Sequence, residues 1–269
     1  MASQKEDAAQ LPGLIRIPDP DIEIFRIISL PHFKDMLETR ELHLAPPDTW
    51  DDPFENLLAM TGITDTRSAP WRQSFFDRLR WPAFGQCWSM TLESDSLWRA
   101  YSWYDADPVT NHNLHTRKEG VQVRTTPRKL LTALRNWSPT DPDESCFLGA
   151  VSYLPNVQQY IADRVGRDLL DAFGRGVGHA ESLLFKRRAF EHEDEVRLLW
   201  VDPLRDGARK AVRVPITPNE LFDRVTFEPR LESVELQERE DLARAFGIDA
   251  EKVIRSQLYQ RVLLEVVIR

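Results

Sequence analysis

The sequence predicts an α+β fold: a single domain with a mixed, mostly antiparallel sheet and helices around it. Three observations carry that prediction. Short strand-like runs recur along the chain, among them residues 22–28, 84–90 and 196–201. Amphipathic stretches with helix-start signals lie among those runs. The 269 residues show no internal repeat and no low-complexity linker, and at that length one domain can bury a full core.

Each element has its own local reason. Residues 1–20 read as a loose N-terminal arm, leaving 21–269 as the domain. The run 22–28 is the first strand and carries Arg26. Ser29-Leu30-Pro31 starts a helix to about residue 40, because serine suits an N-cap and proline the first turn. A short strand over 41–45 closes at Pro46-Pro47, and Trp50 to Glu55 runs as a loop into another helix. An aromatic helix is expected over 71–79, and the strand 84–90 carries Cys87 and Ser89. Residues 94–104 have capping residues and place Leu97, Trp98 and Tyr101 at helical spacing. Next come a strand over 120–125, a helix over 127–137, a strand over 147–154 and a helix over 157–173. The glycine-rich stretch 174–179 lacks the Lys-Ser/Thr ending of a phosphate loop and follows no strand, so it reads as a helix C-cap. A helix over 180–188 then leads into an acidic strand. Further strands fall at 212–214, 224–227 and 262–268, with a helix over 236–246.

Composition limits the partners. Apolar residues make up 42% of the chain and the net charge is −8, so bulk charge does not favour binding to a phosphate backbone. Local basic patches remain at residues 117–118, 124–129 and 186–188. With only Cys87 and Cys146, a cysteine-rich zinc site is excluded and a reducing compartment is expected. The first residues are polar, and no apolar run approaches the ~20 residues of a membrane helix. The expectation is a cytoplasmic protein with no membrane partner.

Chemistry concentrates in two acidic stretches. In strand geometry Glu191, Glu193, Glu195 and Arg197 share one face, opposite Val196, Leu198 and Trp200. Carboxylates in a row are costly unless solvent, cations or a substrate face them. A solvated edge ending in a Glu195–Arg197 ion pair is the structural alternative. Asp51, Asp52 and Glu55 form the second cluster, in which Asp52 and Pro53 also suit a helix start. Together the two clusters could hold Mg²⁺ in a hydrolase or nuclease, since hard cations take oxygen ligands. A non-catalytic acidic face that recognises a basic partner is a further alternative. No Gly-x-Ser-x-Gly elbow or His-Glu-x-x-His helix is present.

The order of several short motifs adds a resemblance. These are Leu42 to Pro47 followed by Thr49-Trp50-Asp51-Asp52-Pro53-Phe54-Glu55, then Cys87-Trp88-Ser89, Leu97-Trp98-Arg99-Ala100-Tyr101 and Gly120-Val121-Gln122-Val123. Lys186 and the run Phe190 to Arg197 complete the set. Over residues 22–230 the chain resembles a mostly bacterial family of uncharacterised proteins, domain of unknown function 2971. It departs from that pattern at Asp51, where asparagine is usual, at Phe190, where tryptophan is usual, and in the residues between Tyr101 and Gly120. Within it Asp105 to Lys118, with His112 and His115, reads as a mobile loop.

More remotely, the motif order is similar to that of ADP-ribosyltransferases. The resemblance implies NAD as substrate, an unknown protein or nucleic-acid acceptor, and a toxin or phage-defence setting. It implies that Glu195 stabilises the oxocarbenium-like ribose and that Glu193 activates the acceptor. It further implies that Arg26 holds phosphates or the adenosine ribose, and that Ser89 orients Glu195 and the nicotinamide ribose. Trp98 and Tyr101 would stack on the nicotinamide or a base, and Lys186 and Arg197 complete the candidate set.

Overall fold

The computed structural model describes residues 11–50, 52, 54–55, 81–106, 113–167, 174–205 and 208–259. The expected helix over 71–79, the strand over 262–268, Asp51 and His112 lie outside them. The strands are β1 (Leu14–Ile15), β2 (Ile24–Ser29), β3 (Glu41–Leu44), β4 (Ala83–Ser89), β5 (Trp103–Ala106), β6 (Asn113–Lys118) and β7 (Gly120–Thr125). They continue with β8 (Cys146–Ala150), β9 (Ser152–Leu154), β10 (Phe185–Arg187), β11 (Glu195–Val201), β12 (Val212–Pro215) and β13 (Arg224–Phe227). The principal helices are α1 (Leu30–Thr39), α2 (Asp95–Tyr101), α3 (Pro127–Trp137), α4 (Val157–Arg167), α5 (Gly176–Ser182) and α6 (Ser233–Ala245). The fold is therefore α+β, and most of its strand pairs are antiparallel.

The chain divides into two compact units, each assembled from three separate stretches of sequence. Because the chain passes back and forth between them, no composition shift marks a boundary. The first unit takes in Met1–Glu23, Leu42–Met90 and Thr126–Pro215; the second takes in Ile24–Glu41, Thr91–Thr125 and Ile216–Arg269.

In the first unit β11 lies between β8 and β4, antiparallel to both, and β1 extends the sheet parallel to β8. All seven residues of β11 are buried. Val196, Leu198 and Trp200 face one side, where α3 packs with Leu130, Leu131 and Leu134 fully buried. Trp137 meets Trp200 edge-on at 5.5 Å, and the Trp200 indole donates to Ser138 Oγ. On the other side Leu199 and Val201 join Ile15, Phe147, Val151, Ala180, Leu183 and Leu184. Each of the valine, leucine, isoleucine and phenylalanine side chains among them contributes about 1.5–3 kcal/mol when fully buried. The arm expected over residues 1–20 is thus anchored from Leu14, because Ile15 and Ile17 are apolar enough to be drawn into the core.

In the second unit β7 lies between β2 and β13. Helix α1 follows β2, and its Phe33 meets Phe227 of β13 edge-on at 6.0 Å. Ser29 occupies the N-cap position of α1 without capping it; its hydroxyl bonds His32 instead. Ser94 does cap α2, accepting from the Leu97 N–H. Part of the stretch expected to be a mobile loop is strand: β5 and β6 pair antiparallel, with two register irregularities.

Two local expectations change in the first unit. Of the glycine-rich stretch 174–179, Gly176 and Gly178 lie in the first turn of α5, with Arg175 as N-cap. A Cβ on Gly176 would lie 1.7 Å from the Glu144 carbonyl oxygen, so glycine is needed there for close approach. That helix ends at Ser182 rather than running to residue 188, and β10 begins at Phe185.

Candidate functional site

The acidic stretch is not one strand. Residues Arg188–Glu193 form a 3₁₀ segment, and Asp194 then adopts a left-handed conformation at φ 43°. Aspartate tolerates that region better than most residues, and it turns the chain into β11 at Glu195. Glu191 and Glu193 therefore do not share a strand face with Glu195. The Met90 N–H bonds the Asp194 carbonyl, and Ser89 Oγ donates to the Glu193 carbonyl at 2.7 Å, fixing the turn to the end of β4.

Glu195 and Arg197 do share a face of β11, opposite Ser89 and Cys87 of β4. They pair in the interior, not at a solvated edge. Arg197 grips Glu195 through Nε and Nη2, both at 2.9 Å, and Nη2 also reaches Glu55 at 2.9 Å. Its Nη1 donates to the Leu183 carbonyl, and its guanidinium stacks 4.5 Å from the Trp50 ring centre. The Arg197 side chain is 0% exposed and that of Glu195 4%. Gly149 is its neighbour on β8, and Gly85 of β4 makes room for Trp50, whose ring would lie 2.8 Å from a Cβ there.

Lys186 of β10 completes the centre. Its ammonium lies 2.6 Å from Glu193, 2.8 Å from Glu55 and 3.3 Å from Glu195, and 4.7 Å from the Phe190 ring centre. Beside it Arg187 binds Asp52 through two nitrogens and stacks on Phe54 at 4.5 Å. Asp52 also accepts from the Phe54 N–H, so its turn-forming role and its ion pair coexist. Glu193, with its side chain 24% exposed, is the most open carboxylate around Lys186.

Two cations thus face the three carboxylates Glu55, Glu193 and Glu195, leaving one negative charge in excess. Burial pushes the Glu195 carboxyl up, but Arg197, Lys186 and the Cys87 thiol outweigh it and hold it below the usual range. At Glu55 burial wins over Arg197 and Lys186, and its pKa is raised. Burial opposes the charge on Lys186, yet the glutamates keep it firmly protonated.

A prediction follows from Glu55. A carboxyl whose pKa is raised on folding adds stability below its unfolded value and loses it as pH rises through the folded one. Glutamine mimics the protonated form. Glu55→Gln should therefore match wild type in acid and exceed it at neutral pH, with the gap opening as pH rises above the usual glutamate range. Urea melts of both proteins across pH 4–8 measure this; a gap that closes with rising pH contradicts it.

The structure brings together Ser89, Glu193, Glu195, Lys186, Arg197, Asp52 and Glu55 within the first unit. Arg26, Trp98 and Tyr101 belong to the second unit. Trp98 is fully buried there, its ring packed near Gly120, so it is a core residue and not a stacking platform. Tyr101 is exposed, with the Lys118 ammonium 5.7 Å from its ring centre. Sequence reasoning missed Trp50 as the cover of Arg197, and Tyr153, whose hydroxyl accepts the Glu195 N–H at 2.8 Å.

Among the described residues, no three or more His, Cys, Asp or Glu side chains are grouped to hold a metal ion. The acids converge on Lys186 and Arg197 instead. No helix among the described residues is long and apolar enough to cross a membrane. These features define an α+β protein with a largely buried carboxylate–cation centre at one end of a sheet. No protein-family profile, curated protein or solved structure matches the chain.

Proposed function

We propose that the first unit cleaves the nicotinamide–ribose bond of NAD and passes ADP-ribose to a protein or nucleic-acid acceptor, as ADP-ribosyltransferases do. The observation that supports this most is the β4–β11 register: it sets Ser89 directly opposite Glu195, with Glu193 tied to the Ser89 hydroxyl. These are the residues that the motif resemblance selects.

In this reading the two glutamates take different roles from those the resemblance implies. Both Glu195 oxygens are taken by Arg197 and Lys186, so Glu195 acts as the anchor of the centre. Glu193 is the carboxylate that meets the ribose. Its negative charge stabilises the positive charge that develops as nicotinamide departs. Lys186 sets its position, and Ser89 fixes the backbone that carries it.

The test is nicotinamide release from NAD by the purified protein, alone and with cell lysate as the acceptor source. Release above a no-enzyme control supports the reading. Absence of both NAD binding and nicotinamide release overturns it.

A further inference from the structure

Tyr153 is the middle residue of β9 and stands opposite Lys186 in the parallel β9–β10 ladder. Its hydroxyl oxygen accepts the Glu195 N–H, while its own proton has no acceptor among the described residues. A phenol both donates and accepts, so half of this group's capacity is unused. Burial pushes its pKa well up, and the neighbouring Glu195 and Glu193 charges add to that, so the donor stays protonated. A half-buried hydroxyl whose proton no described residue accepts, paired across the ladder with the lysine that holds the most open carboxylate of the centre, is a place for a ligand oxygen.

We infer that Tyr153 is a ligand-contacting hydroxyl of this site. It donates to a ribose hydroxyl of the dinucleotide, whose own proton in turn points to Glu193. This rests on the NAD reading above. The pair would hold one ribose hydroxyl between a donor and a charged acceptor, which fixes the sugar as the glycosidic bond opens.

The experiment measures NAD turnover by wild type, Tyr153→Phe, Glu193→Gln and the double variant, with a melting curve for each. Tyr153→Phe should lower kcat/KM about tenfold, the scale of one lost hydrogen bond, with little change in melting. The double variant should lose little more than Glu193→Gln alone, because both groups hold the same hydroxyl. Fully additive losses, or wild-type kinetics in Tyr153→Phe, overturn the role of Tyr153 and leave the NAD reading standing. No turnover by wild type overturns the NAD reading and this role with it. If Tyr153→Phe does not fold, difluorotyrosine at 153 keeps the ring and the acceptor but acidifies the O–H. It should then move the alkaline limb of the activity profile to lower pH, and an unmoved limb overturns the role.

Discussion

Arg197→Met is expected to destabilise the protein by about 3–5 kcal/mol, the range found when one partner of a buried ion pair is removed. The side chain has no contact with solvent and serves two carboxylates and a backbone carbonyl at once. Its loss leaves Glu195 buried with Lys186 as its remaining cation, 3.3 Å away. It also leaves the Leu183 carbonyl without this donor. Arg197→Lys should restore little, because an ammonium cannot reproduce the forked grip on Glu195. Removing both charges in Glu195→Gln/Arg197→Met should recover part of the loss, since an uncharged pair carries no desolvation penalty. Chemical denaturation of the three variants is the measurement. For a chain of this size the single variant should melt about 6–20 °C lower. A melting point within a degree or two of wild type would show that the pair contributes nothing to the fold.

What the sequence revealed and what it concealed follow from the range of the interactions. Strand β11 was legible because the short apolar run from Val196 to Val201 reads as a buried strand, with Arg197 and Glu195 on the face opposite Val196, Leu198 and Trp200. The strand at 84–90, the helix at 127–137 and the cap at Ser94 were legible for the same reason, since each is decided by neighbours within a few positions. The acidic run misled because Glu191, Glu193 and Glu195 alternate like a strand. One left-handed residue, Asp194, breaks the pattern without altering the composition. Gly176 opens a helix because of a carbonyl 32 residues away, which no local rule detects. The charges of the centre were visible as charges, but their partners were not. Glu55 meets Arg197 across 142 residues, and Tyr153 meets Glu195 across 42. A tyrosine in a three-residue strand gives no sign of such a contact, so Tyr153 was passed over.

Glu193→Gln is expected to reduce NAD turnover about 100- to 1000-fold, the scale of one lost charge-stabilising contact in a transition state. It should do so without unfolding the protein. The Glu193 side chain is partly exposed, and Lys186 keeps Glu55 and Glu195 as partners when the third carboxylate is neutralised. Neutralising Glu193 also removes the excess negative charge of the centre, which favours the fold. Glu195→Gln should fail in a different way. It strips Arg197 of its forked partner inside the core, so activity and stability fall together. The two glutamates are therefore separated by measuring melting and turnover on the same samples. An inactive, normally melting Glu193→Gln beside a softened Glu195→Gln assigns the ribose-facing role to Glu193. A folded Glu193→Gln that turns over NAD at the wild-type rate returns that role to Glu195, and the Arg197 pair must then open before substrate can reach it. The second outcome carries its own signature, because opening a buried ion pair makes turnover slow to start, whereas the partly exposed Glu193 needs no such opening.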